Sequence, residues 1–240
     1  MRRLIAFARG GWLTPILLVA LTAVPAAAGA ARLVWLATGE IRPDSARFAE
    51  GPAPLVLHIV SACLFGLLGA FQFAPGLRAR WPAWHRSAGR ILVPTGILAA
   101  VTGLWLTLFY PPGVNDGELL YCLRLFFGSA MAGSLLLGFG AIRRRDVAQH
   151  KAWMLRGYAI GMGAGTQVLV FLPWFLFVGP AGDLPRALLM GAAWVINLAV
   201  AEWVIRRKRG SRPGPRHRVL PRPGAQAPHG AATSLASGTV

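Results

Sequence analysis

Acidic residues are scarce in this chain: 8 Asp and Glu among 240 residues, against 25 Lys and Arg. Charge of either sign is also short, at 14% of residues, where a soluble globular domain carries about a quarter. That shortage excludes the ordinary soluble domain. Cysteine is nearly absent. Cys63 and Cys122 both lie inside apolar runs, which leaves no disulfide framework and no paired metal spacing. They read as small apolar packing residues. No zinc-ligand spacing, phosphate-binding glycine loop or nucleophile–base pair occurs, and this disfavours a hydrolase.

What the chain does contain is apolar. Hydrophobic residues make up 55% of it and the mean hydropathy is +0.53. Disordered chains are poor in such residues, so disorder is excluded for most of the length. A nucleic-acid binder with a net charge of +17 would be polar, with its basic residues on an exposed face. A polytopic membrane protein with basic loops fits both numbers. The partner this implies is a lipid bilayer, not nucleic acid.

Six apolar segments are predicted to be membrane-spanning helices, at residues 12–37, 54–74, 91–110, 119–142, 152–178 and 184–205. Each has about 20 residues or more, enough for a hydrocarbon core of about 30 Å at 1.5 Å per residue. None shows the alternation of a barrel strand. The expected fold is therefore all-α: one six-helix bundle over residues 1–205, followed by a disordered basic tail over 206–240.

If the segments alternate in direction, 20 of the 25 basic residues fall on one side, in the amino terminus, the second and fourth loops and the tail. Six of the 8 acids share the other side with the remaining five basic residues. The positive-inside rule then places both termini in the cytoplasm, in a cell (cytoplasmic) membrane. Residues 25–30, Pro-Ala-Ala-Ala-Gly-Ala, resemble a signal-cleavage site. Apolar character resumes at Leu33, past a typical signal core of about 7–15 residues, so the segment reads as a retained helix. The tail is rich in Arg, Pro, Gly, Ala and Ser. Its basic half is expected to meet anionic lipid headgroups, as are the basic loops.

Two of those loops repeat a pattern. Arg78-Ala79-Arg80-Trp81-Pro82-Ala83-Trp84-His85-Arg86 aligns with Arg143-Arg144-Arg145-Asp146-Val147-Ala148-Gln149-His150-Lys151, identical at the first, third, sixth and eighth positions. Arg90 and Arg156 follow near the next helix starts. Duplication of a helix pair and convergent basic composition both account for it. His85 and His150 are candidate axial ligands of one b-type haem, with Arg90 and Arg156 as propionate partners. The alternatives are a boundary anchor for lipid headgroups and proton or quinone chemistry.

On the opposite side, His58, Arg124 and Tyr121 are candidates for a small polar pocket, because ionisable residues in a span usually face a cavity or the bundle interior. Snorkelling of Arg124 to the interface is the competing reading. Gln167 is expected to bond helices together. Glu202 is expected to pair with Arg206 or a repeat arginine, with proton relay as the alternative. Gly157 and Gly161 have the spacing of a close helix contact.

His58-Ile59, Gln72-Phe73, Leu77-Arg78-Ala79-Arg80, His85-Arg86-Ser87-Ala88-Gly89-Arg90 and His150-Lys151-Ala152-Trp153-Met154-Leu155-Arg156 together resemble a bacterial family of predicted membrane proteins, domain of unknown function 2306. The resemblance runs from the second helix through the fifth and into the sixth, at Asn197 and Ala201-Glu202-Trp203. It implies a multi-span fold and no particular activity. A weaker similarity is to two-haem b-type membrane cytochromes, although this chain has three candidate histidines and not two pairs. Three functions follow as expectations: a redox-associated protein with one haem, a transporter or small-molecule sensor with an outer pocket, and a membrane scaffold without chemistry.

Overall fold

Backbone polar groups in lipid have no water to bond, so apolar runs of this length satisfy their own N–H and C=O groups as helices. The computed structural model describes residues 11–40, 46–49 and 51–210. In order these form α1 (Leu13–Thr38), a 3-10 turn (Ala46–Phe48), α2 (Ala53–Gln72), α3 (Pro75–Arg80), α4 (Pro82–Phe109), α5 (Glu118–Arg143), α6 (Val147–Gly161), α7 (Gly163–Phe177) and α8 (Asp183–Gly210). Proline stands in the first turn of α2, α3 and α4, where its missing N–H leaves no helical bond unmade. Five helices are long and apolar enough to cross a membrane, and α6 with α7 passes the same test as one bent span. The all-α, multi-span bundle that the sequence predicts is the one observed.

Two boundaries differ from expectation in ways that matter. The third span begins at Pro82, not at 91, because the helix continues through the polar residues of the membrane boundary. The fifth span is not one rod. It bends by 44° between α6 and α7, at Met162, which is flanked by Gly161 and Gly163. The bend has a packing cause. A Cβ at Gly165 would lie 2.3 Å from the Leu21 carbonyl oxygen of α1, and one at Gly163 would lie 2.4 Å from the Trp194 ring of α8. These absent side chains let α7 lean onto α1 and α8 while α6 stays against α5. The last helix reaches Gly210. The remainder of the expected tail, 211–240, lies outside the described residues, as do Arg2, Arg3 and Arg9.

The core gathers around α6, which touches α2, α4, α5 and α8. Phe65, Leu92, Phe127, Met131, Leu135, Tyr158 and Ile160 are buried together. The Tyr158 hydroxyl donates to the Gly66 carbonyl at 2.8 Å, and its ring occupies the space a side chain at Gly69 would need. Gly157 and Gly161 do bring helices close: the first faces Leu135, the second Phe65 and Met131. Thr166 donates to Asn197, whose amide donates to the Ala159 carbonyl. In lipid such packing and interhelical bonds, rather than a hydrophobic force, hold helices together. Large apolar side chains such as Leu169, Phe175 and Phe177 are left on the outside, where acyl chains are the solvent.

The loops sort to two ends of the bundle. One end carries the repeated basic loops before α4 and α6. The other carries the α4–α5 loop, the 3-10 turn and the start of α8. These are called here the basic end and the Asp116 end.

Candidate functional site

At the Asp116 end a tight turn aims one carboxylate inward. Asp116 donates its N–H to the Gly113 carbonyl and accepts the Gly113 N–H on Oδ2 at 3.1 Å. Asn115 holds a left-handed backbone, φ 59, and its amide donates to the Ala181 carbonyl, tying the turn to the α7–α8 loop. The Asp116 side chain is only 4% exposed. Arg124, in the second turn of α5, clasps it with two bonds, Nη1 to Oδ2 at 2.7 Å and Nη2 to Oδ1 at 3.0 Å. Arg186, in the first turn of α8, donates Nε to Oδ1 at 3.1 Å. Arg47, from the 3-10 turn, approaches Oδ2 at 3.7 Å and donates to the Pro111 carbonyl at 2.8 Å.

Three guanidinium groups from three segments thus meet one carboxylate. Burial by itself pushes the Asp116 carboxyl upward, but hydrogen bonds from Arg124 and Gly113 and the charges of Arg124 and Arg186 hold it below the usual carboxylate range. Arg47 is pushed down, first by burial and then by the like charges of Arg124, Arg32 and Arg186, with Asp116 opposing. Its Nε is buried and has no hydrogen-bond partner among the described residues. A cavity of about 350 Å³ opens beside the cluster, lined by Arg47, Tyr110, Asp116, Glu118, Tyr121 and Arg124 among others. This is within the size of small-molecule pockets, about 300–1,000 Å³.

Of the residues predicted for a pocket here, Tyr121 and Arg124 line the cavity and His58 does not. The His58 Nδ1 lies 2.9 Å from the Ala99 carbonyl and 3.3 Å from the Thr102 hydroxyl. A carbonyl only accepts, so Nδ1 carries the hydrogen, and the ring ties α2 to α4. Asp116, Arg47 and Arg186 escaped the sequence reading. Asp116 sits in a Gly-Val-Asn-Asp-Gly run, a strong turn signal, followed by Arg124 at the depth where one guanidinium reaches back to it.

At the basic end, His150 lies in the first turn of α6, which Asp146 caps by accepting the Gln149 N–H at 2.9 Å. The His150 Nδ1 donates to the Gly138 carbonyl of α5 at 2.9 Å, which leaves Nε2 as the free lone pair. His85 lies in the first turn of α4, and its Nδ1 is buried with no partner. Arg78, Arg86, His150 and Lys151 lie within electrostatic reach of it. Arg90 is exposed. Arg156 is engaged by Glu202 through Nε–Oε1 at 2.5 Å and Nη2–Oε2 at 3.1 Å and lies over the Trp153 ring. The expected pairing of Glu202 with a repeat arginine is therefore present.

A family model described as a predicted membrane protein matches residues 55–205. No curated protein and no solved structure gives a match. The matched segment takes in both histidine loops, Asp116, Arg124 and Arg186, and leaves Arg47 outside. It spans more than half of the chain, which belongs to the predicted membrane protein family of domain of unknown function 2306.

Proposed function

We propose that this membrane protein recognises a small carboxylate- or phosphate-bearing solute in the cavity beside Asp116, for transport or sensing. The basic-residue distribution supports reading this end as the outer face of a cytoplasmic membrane. One observation carries the reading: Arg47, Arg124 and Arg186 converge on a single carboxylate at the edge of the cavity, which sets guanidinium groups where a solute anion enters. Arg47 is the loosest of the three, and its buried Nε lacks a partner. A solute oxygen beside it completes a charge-assisted bond of the kind that makes arginine the usual reader of carboxylate and phosphate. Glu118 lines the same cavity and favours a solute that also carries a donor or a cationic group.

Thermal unfolding of the full chain in nanodiscs tests this, at constant ionic strength, in the sodium salts of acetate, malate, phosphate, glutamate and chloride. The reading expects at least one organic or phosphate anion to raise Tm above the chloride value. It expects Arg47→Gln to abolish the rise. A Tm indifferent to every anion overturns the reading in favour of a scaffold without chemistry.

The haem reading of the basic end draws on one observation. His150 is oriented by a carbonyl on Nδ1, as haem and metal-ligating histidines commonly are, with Nε2 left to bind. His85 and Arg90 would supply the second ligand and a propionate partner. Two features weigh against it: Arg156 is already held by Glu202, and no described residue bonds His85 Nδ1 to orient its ring. An absorption spectrum of protein expressed with ample haem separates the readings. A Soret band lost in both His85→Ala and His150→Ala supports haem, and a colourless folded protein rejects it.

A further inference from the structure

The two repeated loops begin alike and end differently. His150 donates to the carbonyl of Gly138, 12 residues earlier. The same step back from His85 reaches Phe73. Gly138 lies inside α5, and with no side chain there α6 comes close: a Cβ would lie 2.4 Å from the Met154 methyl and 3.3 Å from its backbone nitrogen. Phe73 is not an interior residue of its helix. It is the C-cap of α2, its ring packs on Tyr158 with centroids 4.8 Å apart, and the chain turns there into α3. The first copy therefore lacks the close carbonyl that closes the second. Its mark is a pair of buried polar atoms without partners, His85 Nδ1 in the first turn of α4 and Gln72 Nε2 at the end of α2.

The surroundings say what is missing. Arg78, Arg86, Lys151 and His150 are near enough to His85 to act on it electrostatically. No carboxylate pairs with Arg78, Arg80, Arg86 or Lys151 among the described residues. The two acids of this end are engaged, Asp146 by the α6 cap and Glu202 by Arg156. The adjoining Trp81 is 57% exposed, as a membrane-interface anchor would be. Partnerless polar atoms, uncompensated cations and an interfacial tryptophan lie within one short stretch of chain, residues 72–86, at the end of the bundle.

We infer that the basic surface around His85 is a discrete binding site for the phosphate of an anionic membrane lipid. A phosphate oxygen accepts from the His85 ring and from Gln72, and Arg78, Arg86 and Lys151 balance its charge. The second copy, closed by the Gly138 carbonyl, has no such site. This inference is independent of the Asp116 cavity, which lies at the other end of the bundle.

Native mass spectrometry of the full chain tests it, with phosphatidylglycerol and phosphatidylcholine titrated in separate arms. The wild type is expected to retain one phosphatidylglycerol in preference to phosphatidylcholine. Arg78→Gln and His85→Gln are each expected to weaken that adduct about fivefold, which corresponds to about 1 kcal/mol per headgroup contact. Arg144→Gln, on the same end but in the closed copy, is expected to leave it unchanged. Equal loss in Arg144→Gln reduces the effect to diffuse charge and overturns the site. So does unchanged retention in Arg78→Gln, a surface substitution that leaves the bundle intact. Inorganic phosphate displacing the lipid at equal concentration overturns the lipid assignment.

Discussion

Arg124 holds both oxygens of Asp116, at 2.7 and 3.0 Å, while the Asp116 carboxylate is almost wholly shielded from solvent. The planar fork of the guanidinium fits the carboxylate, and neither partner is easily replaced. Because Arg47 and Arg186 share the same carboxylate, its removal affects three segments at once.

Asp116→Ala is expected to destabilise the protein by about 2 kcal/mol. That lies between the value of an exposed pair, about 1 kcal/mol or less, and that of breaking a buried one, about 3–5 kcal/mol. The three arginine side chains are 25–37% exposed, so water screens part of the repulsion left behind. Equilibrium unfolding in mixed micelles measures it, and Arg186→Gln is expected to cost less than Arg124→Gln, having one bond and not two.

The same cluster sets an acid limit. The folded Asp116 carboxyl sits below its ordinary value of 3.8. Its contribution to stability is fully present above that value and is lost as pH falls through the lower folded value. Wild type is therefore expected to lose this contribution progressively below about pH 4. Asp116→Asn is expected to be less stable at pH 7 and to have a flatter acid limb. Tm measured from pH 3 to 7 checks both.

His58→Leu separates the helix tie from the cavity. Losing the bond to Ala99 is expected to cost about 1 kcal/mol, with no change in anion binding. Loss of binding without loss of stability would return His58 to the site.

Gly165→Ala places a methyl group against the Leu21 carbonyl and is expected to destabilise by about 1–3 kcal/mol through overpacking. Gly133, with nothing within 4 Å, is the control. Its replacement by alanine is expected to be neutral, or stabilising by up to about 1 kcal/mol, since glycine is the poorer helix former. Thermal unfolding of the two variants side by side reads the difference.

Much of this architecture was legible because lipid imposes a simple rule on sequence: about 20 apolar residues read as a helix. What the rule hides is change within a run. Residues 152–178 are apolar throughout, and nothing in their hydropathy marks Met162 as a bend. The contacts of Gly163 and Gly165 with other helices produce it. Tyr121 and Arg124, which line the cavity, stood out in the sequence because polar groups in a span are costly. Asp116 was hidden because a loop aspartate is ordinary until its arginines are known. His58 lies away from that lining for a reason sequence cannot display, since its partner is the Ala99 backbone carbonyl. Glu202 was found with Arg156 as one of its expected partners because both lie near the same ends of adjacent spans.

The central claim is that Arg47 and Arg124 read a solute anion. Isothermal titration of the nanodisc-embedded full chain with the anion that raises Tm most is its most direct test. The account predicts one site per chain, with affinity weakened at least about tenfold in both Arg47→Gln and Arg124→Gln, the loss of one charge-assisted bond of about 1.5–3 kcal/mol, and unchanged in His58→Leu. Equal affinity in wild type and Arg47→Gln would contradict it.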